Sequence, residues 1–443
     1  MRRFLHFSHY SLISAFLVAA PFAASISHVV AEERHELAPG VSVGGSLRTR
    51  FEYKYDFKFD DQAPGNTDNF FLSQIRLNVL WKMSDQFSAF IEGQDAGIQG
   101  DDAVDEDATP NIYNDRFDLH QAYLDYAPGA QDTALGLRVG RQKLKYGEER
   151  LVGPLEWVNT ARVFDAMKAT IGRPSERSAD VFASRVVAVD PDDWNDWADT
   201  PSRYANSQFY GTYYTDKQLL DGSTLEGYYL LRYEDDAEDE VHTVGGRFLT
   251  AISRFSIDGD GSYQFGRFGG LDHSAFATHL GTAYTFDPQT KTKLGVAYNY
   301  ASGDDDQNDS DHETFDNLFP TNHAFYGYMD FFSLQNMHNL ELAFSSAPLE
   351  DLELRIAWQN FWLAEEDSDS WYNAGLGTVR TPNGTDNDSY VGSELDITAT
   401  YPLWEKKLGL LVGYSHFFAD NYVEDTGPSK DADYVYFQAK LTL

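Results

Sequence analysis

Apolar and polar side chains alternate along several stretches of the chain. From Val41 to Phe57, apolar and aromatic residues occupy most odd positions, whereas Ser, Arg, Glu and Lys occupy most even positions. The same period of two recurs from Phe255 to Phe265 and from Glu394 to Tyr401. A period of two predicts β-strands with one apolar and one polar face. No stretch shows a convincing helical period of 3.6, so we predict an all-β fold.

The connections between the predicted strands are of two kinds. Short ones, such as 82–86, 250–254 and 401–407, alternate with mostly longer, Asp-rich ones, such as 301–338 and 363–389. This alternation is typical of outer-membrane β-barrels, which have tight periplasmic turns and longer external loops. It predicts a transmembrane antiparallel β-barrel of about eighteen strands, with short periplasmic turns and long acidic external loops. A barrel of that size leaves an aqueous lumen, so transport is the expected function.

Composition narrows the alternatives. The 443 residues include 70 acidic and 34 basic side chains, a formal net charge of −36, no cysteine and 15% aromatic residues. So acidic a surface disfavours nucleic-acid binding, and the lack of cysteine excludes disulfides and thiolate zinc sites. The aromatic content suits lipid-facing belts in a barrel. A soluble β-sandwich is the alternative fold, but sandwiches do not alternate short and long connections so regularly.

The chain divides into a leader and one domain. We predict that residues 1–31 form a secretory signal, because Arg2 and Arg3 precede the apolar run Leu12–Ala20 and small residues lead up to Ala31. Residues 32–443 then form the barrel. The alternating segment Tyr434–Leu443 is the expected last strand, of the kind that barrel-assembly machinery recognises. The expected location is the outer membrane of a Gram-negative bacterium, among its lipids and lipopolysaccharide.

The acidic loops have two interpretations. Runs such as Asp101–Asp107 and Asp304–Asp306 are able to bind Ca²⁺ loosely, but the second run lacks the glycine and the terminal glutamate of an EF-hand loop. A solvated, self-repelling external surface is the simpler interpretation. We therefore expect no cofactor beyond loosely held Ca²⁺.

Basic residues lie on the polar faces of the first strands, where they would point into the lumen. Arg48, Arg50 and Arg76 are the main examples. In a narrow lumen a few such groups attract anions strongly. The alternative is that each pairs with a neighbouring carboxylate, such as Glu52 or Glu92, which would leave little net selectivity.

One block of sequence carries a resemblance to a known family. The stretch Gly140–Gly147 (GRQKLKYG) is followed by Arg150–Gly153, Trp157–Asn159, Arg162 and Phe164–Asp165. Further matches are 121–126 (QAYLDY), 315–323 (FDNLFPTNH), 326–330 (YGYMD) and the Phe361-Trp362 pair. Together these segments resemble the alginate export family of outer-membrane porins.

The resemblance implies an eighteen-stranded barrel that is narrowed by inward loops and lined with basic side chains selecting an anionic polyuronate. The positions that it assigns to the substrate path are Arg48, Arg76, Arg141, Lys143, Arg162 and His120, beside Arg50 from the polar-face pattern. Arg141 and Lys143 share a parity with Leu135 and Val139, which faces lipid in a regular strand. A bulge or the strand's end must intervene if both are to face the lumen.

Several functions remain open at this point. The favoured one is passive conduction of an alginate-like polyuronate or of small anions by a monomer, and a general or neutral-sugar porin is the alternative. A barrel enzyme would need a nucleophile near a base, for which Ser274 beside His273 and Ser415 beside His416 are the candidates. A Ca²⁺-dependent adhesin rests on the loop acids alone.

Overall fold

A closed antiparallel barrel forms the protein. The computed structural model describes residues 34–100, 111–128, 135–196 and 207–443. The predicted signal 1–31 and the acidic run 101–107 lie outside the described residues and stay predictions. The strands are β1 (His35–Ala38), β2 (Val41–Tyr55), β3 (Asp68–Lys82), β4 (Phe87–Gln99), β5 (Asp115–Tyr126), β6 (Leu135–Gln142), β7 (Phe164–Arg173), β8 (Arg177–Val186), β9 (Gln208–Asp216), β10 (Ser223–Glu234), β11 (Asp239–Ile252), β12 (Phe255–Phe268), β13 (Leu271–Asp287), β14 (Thr292–Ala301), β15 (Asp311–His312), β16 (Met337–Leu349), β17 (Leu352–Trp362), β18 (Trp371–Tyr372), β19 (Thr378–Arg380), β20 (Tyr390–Leu403), β21 (Leu408–Ala419) and β22 (Ala432–Thr442).

The wall contains eighteen of these strands, all except β1, β15, β18 and β19. Each wall strand pairs with its neighbours in antiparallel register, and β2 pairs with β22 from Ser46↔Thr442 to Tyr55↔Asp433, which closes the barrel. The predicted fold class and strand number are therefore confirmed. Among the described residues no helix is long and apolar enough to cross a membrane.

The two ends of the barrel differ as expected. One end carries short turns such as 253–254 and 350–351, and the other carries long loops such as 302–336 and 363–389. Two connections at the long-loop end are nevertheless short: β12 and β13 run on to a tight hairpin at Gly269 and Gly270, and β10 and β11 are joined by 235–238. Both hairpin glycines have positive φ, +59° and +81°, as a two-residue turn requires.

The alternation in the sequence corresponds to the two faces of the wall. Along β3, every second residue from Asp68 to Asn78 is buried inside the barrel and the residues between are exposed on its outer surface. The outer face is apolar, with Phe71, Ile75 and Leu77 among the exposed side chains. This is the surface that contacts lipid in a membrane barrel.

Three long loops fold into the lumen instead of standing on the rim. We name them L3 (143–163), L7 (302–336) and L8 (363–389). They contain β15, β18, β19 and a 3-10 turn at Asn322–Ala324, and a short helix α1 (Asn421–Thr426) lies in the last loop. Their aromatic side chains pack with each other and with the wall in one core, which includes Phe59, Phe315, Phe319, Phe331 and Trp371. The aromatic excess is thus only partly lipid-facing, which corrects the expectation that lipid belts account for it.

Candidate functional site

Loop L3 lies against the inner surface of β2 to β4 and forms one side of the site. Gln74 donates from Nε2 to the carbonyl of Asn159 at 2.6 Å, and Gln94 donates to that of Thr160 at 2.7 Å. The Asn159 side chain in turn donates from Nδ2 to three backbone carbonyls, those of residues 73, 97 and 113. Since a buried amide left without partners costs about 1–3 kcal/mol, this network fixes the position of the loop.

Two arginines of β2 hold the tip of L3. Arg48 donates to the backbone carbonyls of Glu156 (2.7 Å) and Val158 (3.0 Å), which are neutral acceptors. Its charge is therefore not cancelled by these contacts. Arg50 instead forms an ion pair with Glu52, its Nη2 lying 2.6 Å from Oε1. The guanidinium of Arg50 also stacks on the ring of Trp157, 3.8 Å from its centroid. The predicted pairing with Glu52 thus holds for Arg50 and not for Arg48.

Arg76 and Lys143 meet at one carboxylate of L3. Arg76 Nη1 lies 2.7 Å from Oε2 of Glu156, and the Lys143 ammonium forms an ion pair with Oε1. Burial acts to raise the pKa of the Glu156 carboxyl, but Arg76 and Lys143 outweigh it and hold that pKa well below its usual range. The Glu156 carboxyl is therefore ionised. Its side chain is 40% exposed.

Lys440 completes the basic surface from the other side of the barrel seam. It lies directly opposite Arg48 in the β2–β22 register, and its charged neighbours include Arg76, Lys143 and Glu156. Two like charges directly opposite on paired strands are destabilising. We call Arg48, Arg50, Arg76, Lys143 and Lys440 the basic group. With the carboxylates of Glu52 and Glu156, these five cations leave a formal charge of about +3.

Strand β6 ends at Gln142, between Arg141 and Lys143. Gly140 has φ +126°, and a Cβ there would lie 2.2 Å from the carbonyl oxygen of Ala122, so the backbone turns where only glycine fits. Beyond it Arg141 forms a two-point ion pair with Asp165, at 2.9 and 3.1 Å. Lys143 lies past the last residue of the strand. The pairing of β6 with β5 and β7 shows no register shift at Arg141, so only Lys143 lies beyond the predicted strand end, and Arg141 is neutralised by Asp165.

The remaining two predicted positions have mainly structural contacts. Arg162 donates to the carbonyls of Gly153 (3.1 Å) and Pro320 (3.0 Å), which links L3 to L7. His120 is buried at an irregularity of the β4–β5 pairing, with Nε2 3.9 Å from the Glu92 carboxylate. Neither residue belongs to the basic group.

Comparison with known proteins decides the identity of this barrel. The sequence profile described as "Alginate export" matches residues 40–437. The chain belongs to the alginate export family. It is an outer-membrane porin channel of a Gram-negative bacterium, so the short-turn end is periplasmic and the long-loop end is external. No curated protein matches the sequence.

Solved structures show the same fold at low identity. OccK5 (OpdH) of Pseudomonas aeruginosa aligns with a TM-score of 0.60 and 14% identity, over 90% of this chain and 98% of its own. OpdO of the same organism aligns with a TM-score of 0.64 and 12% identity, over 92% and 98%. OccAB4 of Acinetobacter baumannii gives 0.64 and 12%, over 93% and 100%. At this identity the likeness concerns the fold alone.

A second charged network joins L3 of this alginate export family channel to the opposite wall. Glu148 Oε1 lies 3.0 Å from Arg247 Nη2, and His279 Nε2 lies 2.9 Å from Asp258 Oδ2. Within the described part of the chain, Glu148, Asp258 and His279 are the three side chains close enough together to share a metal ion. However, Arg150 Nη2 lies 3.2 Å from the same His279 nitrogen. The guanidiniums of Arg150 and Arg247 therefore already supply positive charge to this cluster.

The serine and histidine pairs considered as catalytic candidates are not assembled for nucleophilic attack. His273 is buried whereas Ser274 is exposed on the opposite face of β13. Ser415 donates to Asp396 at 2.5 Å, and His416 contacts Asp433 at 2.8 Å. Neither serine has its neighbouring histidine as a base, and the family and fold indicate a channel.

Two residues of the site, Lys440 and Glu156, were not predicted from the sequence. Lys440 had a signal, because it lies on the polar face of the last strand and barrel closure brings that strand beside β2. Glu156 had none, because its position depends on how L3 folds back into the lumen. Both lie among the lumen side chains that keep some exposure, as Lys143 (25%) does.

Proposed function

We propose that this channel passively conducts anionic solutes, and that oligomeric or polymeric uronates are the class it suits best. The observation that carries the proposal is the juxtaposition of Arg48 and Lys440 in the β2–β22 register, inside a group with a formal charge of about +3. Because paired like charges weaken a sheet, their presence favours a binding role over a structural one.

The chemistry of a uronate fits such a surface. Each sugar unit carries one carboxylate, which accepts charge-assisted hydrogen bonds from guanidinium and ammonium groups. Several weak sites in succession allow an ion to enter and also to leave, as conduction requires. The name of the family, alginate export, points to the same class of substrate.

A neutral-sugar channel is supported less well, because the ring nearest the basic group is covered on both faces. Trp157 stacks on Arg50 at 3.8 Å and on the His323 ring at 3.8 Å with 10° between planes. Neither face is left for a sugar to stack on. Many other inward rings belong to the packed core of the loops.

The test is single-channel recording in a planar bilayer. Reversal potentials in a KCl gradient are measured with and without oligogalacturonate, and an uncharged oligosaccharide of equal length is the control blocker. We expect anion preference, block by the uronate alone, and weaker block in Lys143→Gln. Cation preference with equal block by both sugars would overturn the proposal while leaving the channel itself intact.

A further inference from the structure

Glu156 occupies the centre of the basic group in an unusual way. Its carboxylate contacts Arg76 and Lys143 at once, yet its side chain is 40% exposed, whereas that of Arg76 is 6% exposed. The other carboxylate counted with the basic group differs in this respect. Glu52 is 3% exposed and lies on β2 beside Arg50. The Glu156 carboxylate therefore lies at the lumen surface, where a solute passes.

Glu156 is also free to move without disturbing the wall. Its carboxylate contacts the side chains of Arg76 and Lys143, so rotation of the Glu156 side chain breaks these ion pairs and no backbone hydrogen bond. The loop beside it is held through other atoms: Arg48 binds the carbonyls of residues 156 and 158, and Trp157 lies between Arg50 and His323. Rotation of the Glu156 side chain alone would expose Arg76 and Lys143.

We propose that Arg76 and Lys143, with Lys440 beside them, form a carboxylate-binding subsite, and that Glu156 is its tethered occupant, which a solute carboxylate displaces. The inference rests on the proposed anion-conducting function. Exchange of one carboxylate for another keeps the cations paired throughout. The exchange also limits the net free energy of solute binding, so the solute is released and conduction continues.

Glu156→Gln tests this directly, because it keeps the side-chain size and removes the competing charge. We expect oligogalacturonate to block this variant at about one tenth of the wild-type concentration, a change equivalent to about 1.4 kcal/mol. Acetate, the simplest carboxylate, should show the same direction of change. Glu149→Gln is the matched control, since Glu149 lies on the same loop and pairs with Lys145, which does not belong to the basic group.

The outcomes separate the two proposals. Equal block of Glu156→Gln and Glu149→Gln, in a channel that is anion-selective, would overturn the tethered occupant alone. Cation selectivity with no block in wild type or either variant would overturn both proposals. Glu156→Ala addresses the case in which glutamine still fills the subsite. In this variant the conductance should saturate as the acetate concentration rises. A linear dependence on acetate concentration would count against the subsite. Unchanged open-channel noise in each variant shows that L3 remains docked.

Discussion

Replacing Trp157 with alanine removes the ring that holds L3 between β2 and L7. Arg50 lies on one face of this ring at 3.8 Å, and His323 stacks on it at 3.8 Å with 10° between planes. Tyr436 of β22 packs edge-on at 5.2 Å and 75°. The hydrogen bond from Arg50 to the carbonyl of residue 157 survives, because it involves only backbone on the tryptophan side.

These contacts set the expected magnitude. The cation–π contact contributes about 0.5–2 kcal/mol. Each of the two ring contacts contributes about 0.5–1.5 kcal/mol. Together they are worth about 3 kcal/mol to the docked state of L3. Since each 1.4 kcal/mol is a factor of ten, the ratio of undocked to docked L3 should rise about 150-fold in Trp157→Ala.

The assay is the current noise of single open channels. L3 leaving and rejoining the wall changes the cross-section of the lumen, so a larger undocked population produces frequent current steps. Trp358→Ala is the control, because Trp358 lies on the lipid face, 37% exposed, and contacts Phe418 there. If Trp157→Ala were as quiet as wild type and Trp358→Ala, the claim that this ring anchors L3 would be refuted.

Three further predictions follow from the wall, the seam and the external loops. Lys440→Gln lowers the charge of the basic group by one and should shift the reversal potential towards cation permeation, whereas Lys406→Gln in a periplasmic turn should not. Leu342→Arg places a charge on the lipid face of β16, where Leu342 is 51% exposed, and should destabilise the folded barrel by about 2–4 kcal/mol, measured by unfolding in lipid vesicles. Burial raises the pKa of Asp369 in L8, so the folded state binds this proton more tightly than the unfolded state does. That contribution favours folding at low pH and is lost as the pH rises through the folded pKa, so thermal unfolding midpoints should depend less on pH in Asp369→Asn, and an unchanged slope would contradict this.

The wall was predictable because its rules are local. A period of two along the chain places successive side chains on opposite faces of a strand. An even number of strands, joined by alternating short and long connections, then forms a closed antiparallel barrel. The structure confirms the predicted wall and the long connections, which lie at 302–336 and 363–389. The short lengths of the external hairpins at 235–238 and 269–270 were not predicted, because the strands extend beyond the membrane without a change in their polarity pattern.

The lumen was less predictable because its contacts are distant in sequence. Arg48 binds residues more than a hundred positions away, and no local pattern indicates that L3 folds inward. Strand parity placed Arg48 and Arg76 correctly on the inner face. It did not indicate that Arg141 would be neutralised by Asp165, or that Arg162 would bind carbonyls of L3 and L7.

The net charge of −36 and the basic group are compatible because the group and the acidic external loops lie at different heights along the barrel axis. Lys440 lies near the periplasmic end of β22, beside the turn 404–407, and Arg48 is its cross-strand neighbour. Acidic residues such as Asp305 and Glu366 belong to the external loops L7 and L8. Under the proposed function, we expect an anion that approaches from the periplasm to meet attraction first and one that approaches from outside to meet repulsion.

This asymmetry affects rates and not the direction of net flow, since a passive channel carries solute down its gradient from either side. We expect oligogalacturonate to associate faster, and so to block at lower concentration, when it is added to the periplasmic side of an oriented bilayer. The Debye length is about 10 Å at 0.1 M salt and about 3 Å at 1 M, so the difference between the sides should shrink as salt rises. Equal block from both sides at low salt would show that the external acids do not act on the approaching solute.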